Sequence, residues 1–213
     1  MIRALIADDH PIMREGLKLF LVCNLDIHVD EVEDGFQAID YVKNNELDIL
    51  ILDISMPGLD GLDTLKEVRD IKPDLPVLML SAYSEDQYAM RVLKAGANGY
   101  LMKTSATDEL VDAVQKILEG GKYLSPSVAD KLVDAVSTGT QQVHHSLSDR
   151  EFEVMRMIAT GKTLTQIGEE LKLSIKTVST YRTRILEKTG FEDNAAITSY
   201  VIKNGLLPIS ALP

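Results

Sequence analysis

Five short strand-like segments, three of them nearly continuous in apolar residues and each followed by an amphipathic segment, fill the first 120 residues, and this alternation constrains the fold more than any other feature of the 213-residue chain. The runs Ile2–Ala7, Ile49–Leu52 and Val77–Leu80 are short and nearly continuous, as strands buried on both faces of a parallel sheet must be. Ile27–Val32 and Gly99–Met102 complete a set of five. Between them Pro11–Cys23, Gly35–Asn44, Asp60–Asp70, Glu85–Ala95 and Thr107–Glu119 carry leucine, valine and isoleucine at helical spacing. Five such units predict an α/β fold, a doubly wound five-stranded parallel sheet around one core. Ligands then sit outside the carboxyl ends of the strands, near the topological switch point.

Those strand ends carry the chemistry. Asp8 and Asp9 follow the first run, Asp53 the third, Ser81 the fourth and Lys103 the fifth. Three carboxylates, a hydroxyl and an ammonium thus share one sheet edge. Carboxylates so placed repel one another, and a hard divalent cation with oxygen ligands, Mg²⁺ first among them, offsets the repulsion. One carboxylate can then attack a phosphoryl group while Lys103 and Ser81 bond the transferred oxygens, and the product is an aspartyl phosphate. Singly, each residue has a plainer reading: a turn or helix cap for each Asp, a surface lysine, a helix-start serine. Only their joint placement favours a site. Met56-Pro57-Gly58 adds a tight turn beyond Asp53, or ordinary punctuation. His10, followed by Pro11, reads as a loop histidine rather than a ligand. Cys23, amid Leu21, Val22 and Leu25, reads as a small buried hydrophobe.

Charge divides the chain. Residues 1–120 hold 11 Lys/Arg against 23 Asp/Glu, net −12, whereas residues 121–213 hold 11 against 10, net +1. From Lys172 to Lys188, the cations Lys172, Lys176, Arg182, Arg184 and Lys188 face Glu187 alone. This asymmetry favours an acidic module joined to one that binds a polyanion; a solvated helix face competes with it. The hydrophobic content of 45% excludes a disordered polyelectrolyte. A single cysteine forms no internal disulfide, no secretory signal opens the sequence, and no apolar stretch approaches the ~20 residues of a spanning helix. A reducing cytoplasm is the expected compartment.

The set Asp8-Asp9, Asp53-Ile-Ser-Met-Pro-Gly, Ser81-Ala and Tyr100-Leu-Met-Lys103 resembles the receiver domain of bacterial response regulators, a flavodoxin-like fold, over about the first 120 residues. The resemblance implies that Asp53 accepts phosphate from a sensor histidine kinase. It further implies that Asp9 and Asp53 ligate Mg²⁺ directly with the Ser55 carbonyl, and that Asp8 acts mainly through water. Ser81 and Tyr100 would form the switch, the ring turning inward behind the hydroxyl. Tyrosines near strand ends, however, commonly pack with the hydroxyl at the surface. Many receivers have a cis proline after the lysine; Thr104 stands here, and a non-proline cis bond costs ~2.5–4 kcal/mol.

Gly120-Gly121 ends the last of these helices, Ser125–Val136 reads as one more, and Ser137–His145 lacks apolar period and reads as linker, with His144-His145 incidental. The expected domains are 1–121, a linker at 122–146 and an all-α module at 147–213. In the last, Ser148-Asp149-Arg150-Glu151 caps a helix that carries Phe152, Val154, Met155 and Ile158 inward and closes at Gly161. Helices about Leu164–Leu171 and Ile175–Thr189, joined by a short turn, form a helix-turn-helix, and a fourth runs Asn194–Asn204. In the third helix Val178, Tyr181, Ile185 and Leu186 share one side, while Lys176, Ser179, Thr180, Thr183 and Arg184 point away. Small hydroxyls rimmed by cations suit a major groove.

Leu147–Leu207 resembles the LuxR-type output domain, notably in Thr165-Gln-Ile-Gly-Glu-Glu-Leu and Ser174-Ile-Lys-Thr-Val-Ser, which with the receiver points to the NarL/FixJ subfamily. The resemblance implies base contacts from Ser179, Thr180 and Thr183 and phosphate contacts from Lys176, Arg184 and Lys188. It also implies a homodimer on double-stranded DNA, joined through Ile197, Tyr200 and Val201; intramolecular core is the alternative for these three. Arg182 leans toward the buried side, where it should snorkel or pair with an acid. The expected protein is a two-component transcriptional regulator, not an enzyme. An Mg²⁺-dependent aspartyl phosphohydrolase and a phosphorylation-independent DNA binder are the rivals.

Overall fold

The computed structural model describes residues 1–82, 85–124 and 143–207. The chain forms two compact units, Met1–Val133 and Asp134–Pro213. In the first, β1 (Ile2–Ala7), β2 (Ile27–Val32), β3 (Ile49–Asp53), β4 (Val77–Ser81) and β5 (Gly99–Met102) form a wholly parallel sheet in the order β2-β1-β3-β4-β5. The chain order reverses between β1 and β3, which creates a crevice at their carboxyl ends. The expected doubly wound fold is the one observed.

Helices α1 (Pro11–Asn24), α2 (Gly35–Asn44), α3 (Gly61–Ile71), α4 (Glu85–Lys94) and α5 (Ala106–Leu118) cross between or follow the strands. Alternation along the strands feeds two cores. Ala4, Ile6, Ile49, Ile51, Leu78 and Leu80 meet Leu17 and Leu21 of α1 and Leu110, Val114 and Ile117 of α5. Leu5, Leu50, Leu52 and Met79, equally buried, point to the opposite face. Both faces are thus covered along β3, β4 and the inner part of β1, which lack a polar alternate position before their terminal residues, whereas the edge strand β2 keeps His28 and Asp30 at alternate positions.

Two strands reach one residue further than their apolar runs suggested. Ladder pairing continues through Asp53↔Leu80 and Ser81↔Met102, so both polar residues are terminal strand residues rather than turn residues. A 3-10 turn at Lys103–Ser105 precedes α5, and no cis peptide occurs among the described residues, Lys103-Thr104 included. Cys23 is exposed, contrary to expectation: it lies on the outer side of α1 beside the exposed Val22, while Leu21 alone of that trio turns into the core.

In the second unit a 3-10 turn at Val143–Ser146 leads into α6 (Asp149–Ala159), α7 (Leu164–Leu171), α8 (Ile175–Thr189) and α9 (Asn194–Lys203). The helix expected over Ser125–Val136 and the linker up to residue 142 lie outside the described residues. Side chains cap every start: Ser148 and Thr163 form capping boxes with Glu151 and Gln166, and Ser174 and Asp193 accept from Thr177 N and Ala196 N. The turn between α7 and α8 is tight. Leu173 N donates to Gly168 O at 2.8 Å, Lys172 adopts a left-handed conformation at φ 55°, and a Cβ on Gly168 would lie 2.8 Å from the Leu173 carbonyl.

Candidate functional site

β1, β3, β4 and the residue after β5 deliver Asp8, Asp53, Ser81 and Lys103 to one edge of the sheet. Asp8, Asp53 and Ser81 are wholly buried and Lys103 nearly so. Lys103 Nζ lies 2.7 Å from Asp8 Oδ2 and 2.8 Å from Asp53 Oδ2, so one ammonium bridges two carboxylates. Asp9, partly exposed, adds a third. Burial first, then the neighbouring Asp8 charge, push the Asp53 carboxyl up to about 6, against the lowering effect of Lys103 and the Ser55 backbone. Gly61, at the first turn of α3, packs on the backbone of this residue: a Cβ there would come 2.0 Å from the Asp53 carbonyl oxygen.

Ligand atoms of Asp8, Asp9, His10 and Asp53 lie within 4.8 Å of one another. Buried oxygens of all three aspartates lack a well-formed hydrogen bond beyond the ion pairs. One ammonium against three carboxylates leaves the pocket with negative excess, and its exclusively oxygen-rich acid set fits a hard divalent cation. Sequence reasoning left His10 out of the cluster. Its ring Nδ1 is 2.7 Å from Asp9 Oδ1, and its backbone N–H donates to Asp8 Oδ1 at 2.8 Å. Arg14 braces the same loop by donating to the Asp8 carbonyl. Ser55 lines, with Asp53 and Lys103, a cavity of about 620 Å³ that Ile12, Met13 and Phe20 wall on the side of α1.

Tyr100 is fully enclosed, opposite Met79 in the ladder, rather than presenting its hydroxyl at the surface.

In the second unit α8 buries Val178 and Ile185 and half-buries Tyr181 and Leu186, while Lys176, Ser179, Thr180, Thr183 and Arg184 are exposed. Thr180 and Thr183 donate their hydroxyls to the carbonyls of Lys176 and Ser179, one turn back. Arg182 pairs, though with an amide rather than an acid: its Nε donates to Asn194 Oδ1 at 2.7 Å. Lys188 Nζ is held by Glu151 Oε2 at 2.6 Å.

The three residues expected to join two copies face the other way. Ile197 and Val201 are wholly buried within this unit's own core. Tyr200 bonds His144 Nδ1 through its hydroxyl at 2.9 Å and packs on Phe191. The apolar side of α9 is thus consumed by α6, and the outer side carries Ala195, Ser199 and the 58% exposed Ile202. His144, read as incidental, is a buried core residue stacked on Phe152.

Residues 4–115 match the response regulator receiver domain, and residues 145–201 match the luxR family of bacterial regulatory proteins. The chain is 35% identical over 210 residues to the transcriptional regulatory protein LiaR of Bacillus subtilis, covering 97% of this chain and 100% of that one. It is 32% identical over 209 residues to the response regulator UvrY of Escherichia coli K12, covering 97% and 96%. RcsB from Salmonella enterica serovar Typhimurium, bound to promoter rprA with phosphomimetic BeF3-, shares its structure with TM-score 0.66 at 28% identity, over 94% of this chain and 98% of that one. A receiver fold with an acidic strand-end pocket, followed by a helix-turn-helix, defines a phosphorylation-type signalling protein with a DNA-binding output. The chain belongs to the response regulators with a LuxR-type output domain, two-component proteins that control transcription. Among the described residues no helix is long and apolar enough to cross a membrane.

Proposed function

We propose that Asp53 is the phosphoacceptor and that its phosphorylation by a sensor histidine kinase in the cytoplasm controls DNA binding by α8. In this reading residues 1–121 receive the phosphoryl group, 122–146 link, and 147–213 bind DNA. An ionised Asp53 oxygen attacks phosphorus, the P–N bond to the kinase imidazole breaks, and the electron pair leaves with nitrogen. The Lys103 ammonium, already 2.8 Å from Asp53, moves its hydrogen bonds to the transferred oxygens, and Ser81 donates its hydroxyl to another. Asp9 and Asp53 with the Ser55 carbonyl would hold Mg²⁺, Asp8 acting through water, and the ion when bound neutralises charge on the phosphoryl oxygens. Ser81 and the enclosed Tyr100 form the switch.

Lys176 and Arg184 hold phosphates and Ser179, Thr180 and Thr183 face base edges. The homodimer forms through the outer side of α9, with Ala195, Ser199 and Ile202 in place of the buried Ile197 and Val201. The observation that carries the reading is the ammonium bridging the buried Asp8 and Asp53 within a cluster of three carboxylates. Incubation with acetyl phosphate and Mg²⁺ should add one PO3 group per chain by intact mass, and none to Asp53→Ala. Continuous release of inorganic phosphate at many turnovers would instead favour a phosphohydrolase. Equal DNA affinity with and without the modification would favour the phosphorylation-independent binder.

A further inference from the structure

α8 is fastened at both ends. At its start, Ser174 caps the first turn and the Leu173 N to Gly168 O bond ties it to α7. Lys188 lies about 18 Å further along the axis from Lys176, at 1.5 Å per residue. There its ammonium meets Glu151, 37 residues earlier in the chain, at 2.6 Å.

Glu151 is 2% exposed, and its Oε2 accepts both the Lys188 ammonium and the Ser148 backbone N–H at 2.7 Å. Lys188, by contrast, is 41% exposed. Lys176 and Arg184 are exposed cations on the same helix, and neither has an ion pair among the described residues. The three cations are therefore not equivalent. A phosphate that drew the ammonium off Glu151 would leave that buried carboxylate with the Ser148 N–H as its remaining bond. An unpaired buried charge costs more than one exposed phosphate contact returns.

We propose that Lys188 is withheld from DNA phosphate and that Glu151, through Lys188, is a positioning residue that sets how α8 is presented to the major groove. This rests on the reading of α8 as the recognition helix. Phosphate contacts then come from Lys176 and Arg184, and the last turn of α8 serves as a strut onto α6.

The salt dependence of binding separates a strut from a phosphate contact, because each neutralised phosphate adds about 0.9 to the slope of log K against log salt. The test uses the full chain with beryllofluoride and a duplex that the chain itself selects from random sequence. Every variant is first shown by circular dichroism to be folded at the assay temperature. Lys176→Met should lower the slope by about 0.9. Lys188→Met should leave the slope unchanged while lowering affinity roughly tenfold, and Lys188→Arg should restore it.

Glu151→Gln retains an acceptor for Ser148 and should also lose roughly tenfold, despite freeing a cation. The double variant Glu151→Gln/Lys188→Met should bind no worse than either single one. A slope lowered by Lys188→Met as much as by Lys176→Met would overturn the proposal. So would Glu151→Gln binding that is unchanged, or tighter with a steeper slope. A wild-type slope near zero would instead sink the DNA reading of α8 itself.

Discussion

Lys103 Nζ reaches Asp53 Oδ2 at 2.8 Å from the opposite side of the sheet edge, with β4 lying between the two strands that supply them. This ammonium is the cation that holds the Asp53 carboxyl down against burial and the charge of Asp8. Lys103→Met should therefore raise the Asp53 pKa further and remove a donor from the transferred oxygens. The rate of modification by acetyl phosphate, followed by mass spectrometry, should fall roughly 10²-fold, the usual effect of losing one preorganised donor. An unchanged rate would show that Lys103 is structural.

Gly61 has no room for a side chain because the Asp53 carbonyl sits where its Cβ would be. Gly61→Ala should push α3 and the end of β3 apart, destabilising the first unit by roughly 1–3 kcal/mol in urea unfolding. Modification of Asp53 should slow as well, since the displaced atom is its own backbone.

Lys172 adopts φ 55° in the turn before α8, a conformation that costs a side-chain-bearing residue about 1 kcal/mol or more. Lys172→Gly should raise the stability of the second unit by about 0.5–1 kcal/mol, read as a higher midpoint in thermal unfolding. Any loss of DNA affinity in that variant reports the missing cation, because the turn geometry is retained.

Burial pushes the Glu151 carboxyl up, but hydrogen bonds from Lys188 and Ser148 and the ammonium's charge outweigh it, so its pKa lies below the ordinary value. A carboxylate depressed in the folded state stabilises above its unfolded pKa, and that contribution is lost as pH falls through the folded value. The second unit should lose stability between about pH 5 and lower values, and Glu151→Gln should flatten that part of the curve. A variant whose acid unfolding matches wild type would contradict the depressed carboxyl.

The sheet and its order of elements were legible because strands covered on both faces leave an uninterrupted apolar run, and the site was legible because its residues stand directly at the ends of those runs. Asp53 and Ser81 differ only in that ladder pairing carries them into the strands. What escaped depended on partners distant in the chain. An apolar stripe on α9 looks the same whether it faces α6 or a second copy, and Ile197 and Val201 face α6. The pairing of Lys188 with Glu151, the His144–Tyr200 bond and the enclosure of Tyr100 likewise need the folded chain to be seen. Cys23 differs from expectation because successive helix residues are turned by about 100°, so apolar neighbours in sequence need not share the buried face of Leu21.

The central claim is that phosphorylation at Asp53 governs DNA binding. Its most direct test is the affinity of the full chain for a duplex it selects itself, measured with and without acetyl phosphate and Mg²⁺, in wild type and Asp53→Ala. Affinity should rise on phosphorylation in wild type and stay fixed in the variant. An identical rise in both proteins, or none in wild type despite a modified Asp53, would contradict it.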